Sequence, residues 1–407
     1  MALEQLLDEA RDLQSEAVAL RRRLHRHPEI GNENPHTRDE LLAAIEGLPL
    51  DITSHRTTTG VAALLTGDRP GPTILLRADT DGLPLHEDTD LDFTSATEGH
   101  MHACGHDTHV AMLVSAAKML SARKGNLAGR VLFMFQPGEE GHHGARFMLE
   151  EGLLDIPSLA DGTASPVTAA FALHIMTTLP TGYFAVKGGS IMASADRMYI
   201  TVKGRGGHAS EPYRALDPIP IACEIVQALQ MMVTRRIDVF DPGVITVGRI
   251  TAGTTNNIIP ESAEIEGTIR AVSESTRKKL FAGIQRVAEG IGAAHEAEVT
   301  VNLIGGFPVT VNDVEFADTA LGAARELVGN DRGVRMPNPV MGAEDFSYVL
   351  QRVPGSMMFL GATHPDRDLR TAAPNHSNLV HFDEDAMVHG AAMHTLMACR
   401  HLGLDET

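Results

Sequence analysis

The sequence predicts an α/β fold, a largely parallel sheet between helices, with a smaller α+β unit inserted into it. Three observations predict this. Short runs that are apolar throughout alternate with helical runs in the first part of the 407-residue chain. The texture changes to strict apolar–polar alternation after Gly188 and Gly189. Beyond Gly305-Gly306-Phe307-Pro308 the helix and strand runs resume. Wholly apolar strands belong to sheets covered on both faces, and alternating ones to sheets with one solvated face.

Residues 3–26 carry Leu6, Leu7, Leu13, Val18, Leu20 and Leu24 at helical spacing, and Pro28 ends that helix. Apolar strands follow at 73–77, 131–135 and 169–173, with a buried helix at 109–120. In the inserted unit, Met198, Ile200 and Val202 share one face of an alternating strand. Further alternating strands are expected at 244–250 and 263–271, and helices at 218–235 and 274–291. The closing runs are 314–328, 357–360 and 383–402. The expected division is 1–192 plus 305–407 for the outer domain and 193–304 for the insertion.

Composition narrows the function. Lys and Arg total 34 against 53 Asp and Glu, a net charge of −19. Nucleic acid and anionic membrane need clustered cations, so neither is an expected partner. No apolar run approaches the ~20 residues that span a bilayer, and residues 1–26 lack the apolar stretch of a secretory signal. Cys104, Cys223 and Cys399 are few, odd in number and far apart, which suits a reducing, cytoplasmic setting. The 20 histidines are the unusual count.

Chemistry gathers where apolar strands end. One runs into Asp79-Thr80-Asp81, the next into Gln136-Pro137-Gly138-Glu139-Glu140, the third into His174. Open α/β sheets bind ligands beyond the carboxyl ends of their strands. The densest cluster is His100, His102, Cys104, His106, Asp107 and His109. Read as extended chain, Cys104 and His106 face one side and reach one ion; thiolate with imidazole suits zinc and other late transition metals. His102 and His109 are candidate supports. His25 and His27 read as a helix terminus facing its dipole. Glu139 and Glu140, adjacent in an extended chain, point apart, so one binds metal and one is left as a base.

These strings resemble the hippurate-hydrolase and auxin-conjugate-hydrolase branch of the aminoacylase/carboxypeptidase family of dinuclear metallopeptidases. The matching residues are Asp79 to Pro84, His102-Ala103-Cys104-Gly105-His106-Asp107, Gln136 to Glu140, Gly206-Gly207-His208, Asn257-Ile258-Ile259-Pro260, Gly267 to Arg270, Gly342 to Phe346, and the His376 segment. They fall in order over nearly the whole chain. Gly138 stands where alanine is expected, and Asn378 where proline is common.

The resemblance implies a zinc-peptidase-like catalytic domain and an inserted lid and dimerisation domain, hence a homodimer or dimer-based oligomer. It implies Cys104, His106, Glu140, His174 and His376 as metal ligands. The centre would hold two divalent ions per subunit, zinc first, with manganese, cobalt or nickel as alternatives. Glu139 is then the general base on a metal-bound water, Asp81 orients a ligand, and Glu344 and Asp345 buttress the shell. His208 is the oxyanion donor, in cis or in trans, and Asn257 and Arg270 bind substrate, Arg270 matching a carboxylate. The implied reaction cleaves the amide of an N-acyl amino acid, a small-molecule substrate. Dipeptidase or carboxypeptidase-like hydrolysis is the alternative. A non-catalytic metal-dependent binding protein, or a thiol-redox protein using Cys104, would be other classes. Intact Glu139 argues against the first, and the lack of a Cys-x-x-Cys against the second.

Overall fold

The computed structural model describes residues 3–159 and 161–404. Residues 1 and 2 of the segment read for a leader, and 405–407 of the outer domain, lie outside it. The chain divides into two compact units. One comprises Met1–Gly189, Val311–Asn338 and Asp345–Thr407; the other comprises Ser190–Thr310 and Pro339–Glu344.

The first unit is built on an eight-stranded sheet. Across it run Leu50–Ser54, Val61–Thr66, Ala128–Gln136, Arg69–Asp79, Val167–Pro180, Gly355–Thr363, Phe184–Val186 and Gly333–Arg335. The four middle strands, from Ala128–Gln136 to Gly355–Thr363, are mutually parallel. Their residues are buried whichever face they point to: Ile74, Leu75 and Leu76 are all fully buried. That is the physical reason for the unbroken apolar runs, since each such side chain contributes about 1.5–3 kcal/mol on burial. The helix His106–Ser121 leaves only Lys118 and Ser121 outside the buried set, as a central helix should.

Several elements differ from expectation. The first helix is two, Leu3–Asp12 and Gln14–Arg26, interrupted at Leu13, although Leu13 keeps helical backbone angles. Strands Leu50–Ser54 and Val61–Thr66 were not anticipated. The one is exposed at the sheet edge; the other reads Val-Ala-Ala-Leu-Leu-Thr, a short run whose periodicity does not separate strand from helix. The strand expected at 169–173 does not stop before His174 but continues to Pro180.

The second unit is an antiparallel sheet, Gly243–Ala252, Ser262–Ala271, Ala195–Lys203 and Glu298–Phe307, with helices Pro218–Arg236 and Glu274–Ala294. Met198, Ile200 and Val202 are buried in one core with Ile225, Leu229, Leu280 and Ile284. Both helices start on side-chain caps: Asp217 accepts from the Ile219 N–H, and Ser273 from the Thr276 N–H. The fourth strand, Glu298–Phe307, carries the chain through Gly305 and Gly306, which were read as a boundary. Among the described residues, no helix is long and apolar enough to cross a membrane.

Candidate metal centre

Strand Arg69–Asp79 has a parallel neighbour on each side, Ala128–Gln136 and Val167–Pro180. The chain passes from it to Ala128–Gln136 on one side and then crosses back to Val167–Pro180 on the other, and this reversal opens a crevice at the carboxyl ends. Asp81, Glu139, Glu140 and His174 all arrive there.

Cys104 and His106 meet, but not as neighbours in an extended chain. Gly105 has φ +87° and precedes the first residue of the helix His106–Ser121. This left-handed turn brings the thiol and imidazole together. A Cβ on Gly105 would lie 2.5 Å from Ile175 Cγ2, so only glycine fits. The His106 Nδ1–H donates to the Asp81 carbonyl oxygen at 2.8 Å. That fixes the tautomer and leaves Nε2 as the free lone pair.

The two glutamates also differ from the extended reading. Glu139 and Glu140 sit in a turn, and both bring a carboxylate oxygen within 4.8 Å of a His106 nitrogen. Asp81 shapes that turn. Its Oδ1 accepts from the Glu139 N–H and its Oδ2 from the Glu140 N–H, each at 3.0 Å. Asp81 thus meets His106 Nδ1 through its main-chain carbonyl and, at 3.4 Å, through its carboxylate Oδ1, while the same carboxylate holds the glutamate pair. Gly138, one residue earlier, has φ +72°, and its Cβ would fall 2.0 Å from Asn32 Oδ1.

His174 Nδ1–H donates to the Ile175 carbonyl at 2.8 Å, turning Nε2 toward Cys104 Sγ at 3.4 Å. His376 Nε2 lies 3.2 Å from the same sulfur and 3.1 Å from Glu140 Oε1. Its backbone φ of +69° is rare for a residue with a side chain.

The donors form overlapping triads, each with ligand atoms within 4.8 Å: Cys104, His106 and His174; Cys104, Glu140 and His376; His106, Glu139 and Glu140. Two observations test whether these residues fit a metal. His106 Nε2 and Glu140 Oε1 are buried without a hydrogen-bond partner; the latter is close to His376 but not aligned with it. Such atoms are costly unless something satisfies them. The local charge also favours a cation. The nearby Cys104 sulfur and Glu140 carboxylate raise His376 to about 10, and Asp79 and Cys104 hold His106 well above its usual value against the opposing effect of burial. Burial pushes the Cys104 thiol up and His174 well down. The set fits late transition metals.

Beneath the centre lies a buried network that includes Asp345 and His109, both expected as supports; Arg77 at its middle was missed, although a charged residue in an apolar strand was a signal. Arg77 donates to Asp79 at 2.6 Å, to Gln136 at 2.9 Å and to Asp345 at 3.2 Å. Asp345 also accepts from Gln136 at 2.7 Å and from the Ala145 N–H at 2.9 Å. His109 donates from Nδ1 to Asp79 at 2.5 Å and accepts the Ile175 N–H at Nε2 at 2.8 Å, which fixes its neutral form beside His174. Glu344 is buried and belongs to the second unit.

Other histidines are elsewhere. His25 stands in the last turn of the helix Gln14–Arg26, as expected. It is also buried between Asp107 Oδ2 at 2.8 Å and Glu87 Oε1 at 3.2 Å. His102 is buried near it with neither ring nitrogen hydrogen-bonded. His100 bonds the Pro28 carbonyl.

In the second unit, His208 is exposed and pairs through its backbone with Ile258. Its Nδ1 accepts from the Ser210 N–H at 3.1 Å, which leaves Nε2–H as a free donor in the neutral ring. His208 and Asn257 line a pocket of about 660 Å³ with Gly206, Gly207 and Thr254. Arg270 is half-buried on strand Ser262–Ala271, and burial lowers its pKa. Among the described residues its guanidinium has no hydrogen bond or ion pair.

Comparison with known proteins places this arrangement in context. Residues 75–400 match the model of peptidase family M20/M25/M40. The chain is 36% identical to thermostable carboxypeptidase 1 of Saccharolobus solfataricus, over 98% of both chains. It is 36% identical to an IAA-amino acid hydrolase of Arabidopsis thaliana, over 95% of this chain and 85% of that one. A crystal structure from Bacillus subtilis, described as a dinuclear metal binding peptidase from the M20 family, superposes with a TM-score of 0.81 at 32% identity, covering 97% and 99% of the two chains.

Proposed function

The chain belongs to peptidase family M20/M25/M40, and from that premise we propose that it hydrolyses the amide bond of N-acyl amino acids, releasing a carboxylic acid and a free amino acid. The observation that carries this reading is the crevice in which Cys104, His106, Glu140, His174 and His376 converge beside a second carboxylate, Glu139. Those five residues would hold two divalent ions, zinc first, with Cys104 shared between the triads. A bound divalent ion supplies Lewis acidity, acidifying water and polarising a carbonyl.

The chain's own residues do the rest. Glu139 takes the proton of the attacking water and returns it to the leaving amine. Asp81 holds Glu139 through its backbone N–H. His208 donates from Nε2 to the oxyanion, from its own subunit or a second one. Asn257 assists in binding, and Arg270, with its donors uncommitted, pairs with the substrate α-carboxylate. Catalysis needs Cys104 reduced, which a cytoplasmic setting provides.

The inserted unit is the lid and dimerisation domain in this reading. Met231, Val239 and Phe240 are 63%, 78% and 93% exposed, and strand Gly243–Ala252 is a free sheet edge, features that a second copy would cover. Monomeric protein with full activity, by light scattering, would contradict this.

The test of the reaction is a panel of N-acetyl, N-benzoyl, longer N-acyl and indole-acetyl amino acids against metal-loaded protein. Blocked dipeptides in the same panel decide a second reading, carboxypeptidase-like cleavage, which the likeness to the Saccharolobus enzyme favours. Turnover of neither class would leave a non-catalytic binding protein.

A further inference from the structure

We propose that Asn375 is a positioning residue of the metal centre, a single amide that sets the three ligand-bearing loops against one another. The inference rests on the assignment of Cys104, His174 and His376 as ligands. Those three come from segments far apart in the chain, and nothing in their own loops fixes their mutual distances. Asn375 does. Its Nδ2 donates to the Cys104 carbonyl at 3.2 Å and to the Ile175 carbonyl at 3.0 Å. Its Oδ1 accepts from the Thr177 N–H at 3.2 Å. The carbonyl of Ile175 is also the acceptor that orients the His174 ring, so the same oxygen receives both side chains.

The next residue is His376, whose N–H donates to the Ala103 carbonyl at 2.8 Å while its backbone holds φ +69°. A left-handed non-glycine residue is strained and persists only when its surroundings impose it. The bonds on either side, from Asn375 to Cys104 and from His376 to Ala103, impose it here. Together they hold the His376 ring 3.2 Å from Cys104 Sγ. An ordinary loop asparagine would hydrogen-bond within its own loop; both Nδ2 bonds of Asn375 leave it, to the Cys104 segment and to the His174 strand.

The test measures zinc affinity by competition with a chelating dye, together with thermal stability of the metal-free protein. Asn375→Ala loses these three bonds and a longer one from the Thr177 hydroxyl at 3.5 Å; Asn375→Asp keeps the acceptor for Thr177 but sets a carboxylate against two carbonyl oxygens. Affinity falls about 10–100-fold in Asn375→Ala, the scale for groups that orient ligands, and further in Asn375→Asp. Ser377→Ala, which removes the bond from the Leu379 N–H to the Ser377 hydroxyl and touches none of the Asn375 bonds, controls for general loosening of the loop; it lowers stability and leaves affinity within about 2-fold of wild type. Should Asn375→Ala not fold, Asn375→Ser retains one donor and shows an intermediate loss. Affinity unchanged in the Asn375 variants, or falling equally in Ser377→Ala, overturns the proposal. Cys104→Ser separates the two levels: if wild type takes up no zinc, or if Cys104→Ser binds it as tightly, the centre itself is wrong and the proposal falls with it.

Discussion

The carboxylate of Asp81 accepts the backbone N–H of Glu139 at 3.0 Å, and with its other oxygen the N–H of Glu140. One buried side chain therefore sets the position of the proposed general base and of a proposed metal ligand together. Asp81→Asn keeps the size but puts an NH2 group against one of those N–H groups. A lost charged hydrogen bond that leaves a buried donor unpaired costs about 1–3 kcal/mol. The expected result is kcat lower by about 10–100-fold with KM nearly unchanged, since the defect is in placing the base. Steady-state kinetics check it; a change confined to KM would contradict it.

Gly105→Ala should damage the centre more than the fold. The left-handed backbone costs about 1–3 kcal/mol with a Cβ, and that Cβ meets Ile175 and Phe382. Shifting the turn moves Cys104 and His106 apart. Zinc affinity should fall by more than tenfold, and the melting temperature should drop, in one titration and one melt.

Arg270→Ala should act on binding. A charged hydrogen bond contributes about 1.5–3 kcal/mol, so KM for N-acyl amino acids should rise about 10–100-fold. Their amide derivatives, which lack the α-carboxylate, should show almost no change. Equal effects on both substrates would remove Arg270 from the carboxylate site.

Removing metal with a chelator should abolish turnover and reverse the pH response of stability. In the metal-free protein, His376 is raised from 6.5 to about 10. Its contribution is present in full below pH 6.5 and is lost as pH rises through 10. Melts of stripped protein should therefore weaken from pH 6.5 to 10, and His376→Ala should flatten that slope. Zinc affinity runs the other way, falling with falling pH as protons compete for His376 and Cys104.

Much of the site was legible because chemistry interrupts apolar strands. Asp81, Glu139, Glu140 and His174 stand where buried strands reach the sheet's carboxyl edge, and charged groups there are conspicuous. The geometry between neighbours was less legible. Cys104 and His106 meet through a glycine turn, not by strand alternation, and Glu139 and Glu140 bring their carboxylates to one imidazole because their backbone turns. Periodicity describes regular chain only, and these residues lie outside it. Asn375 carried no local signal, since its partners lie in remote segments, whereas His109 stood out as part of the histidine cluster. In the second unit, Met198, Ile200 and Val202 were readable because one face of the sheet is solvated. Leu50–Ser54 was not, because an exposed edge strand has no apolar pattern to show.

The central claim is that Glu139 is the base beside an intact metal centre. Glu139→Ala, assayed for bound metal and for hydrolysis of N-acyl amino acids in one preparation, tests it most directly. The expected result is wild-type metal content with kcat lower by about 10²–10⁴-fold, the contribution of a positioned general base. Near-normal turnover with the metal retained would contradict it.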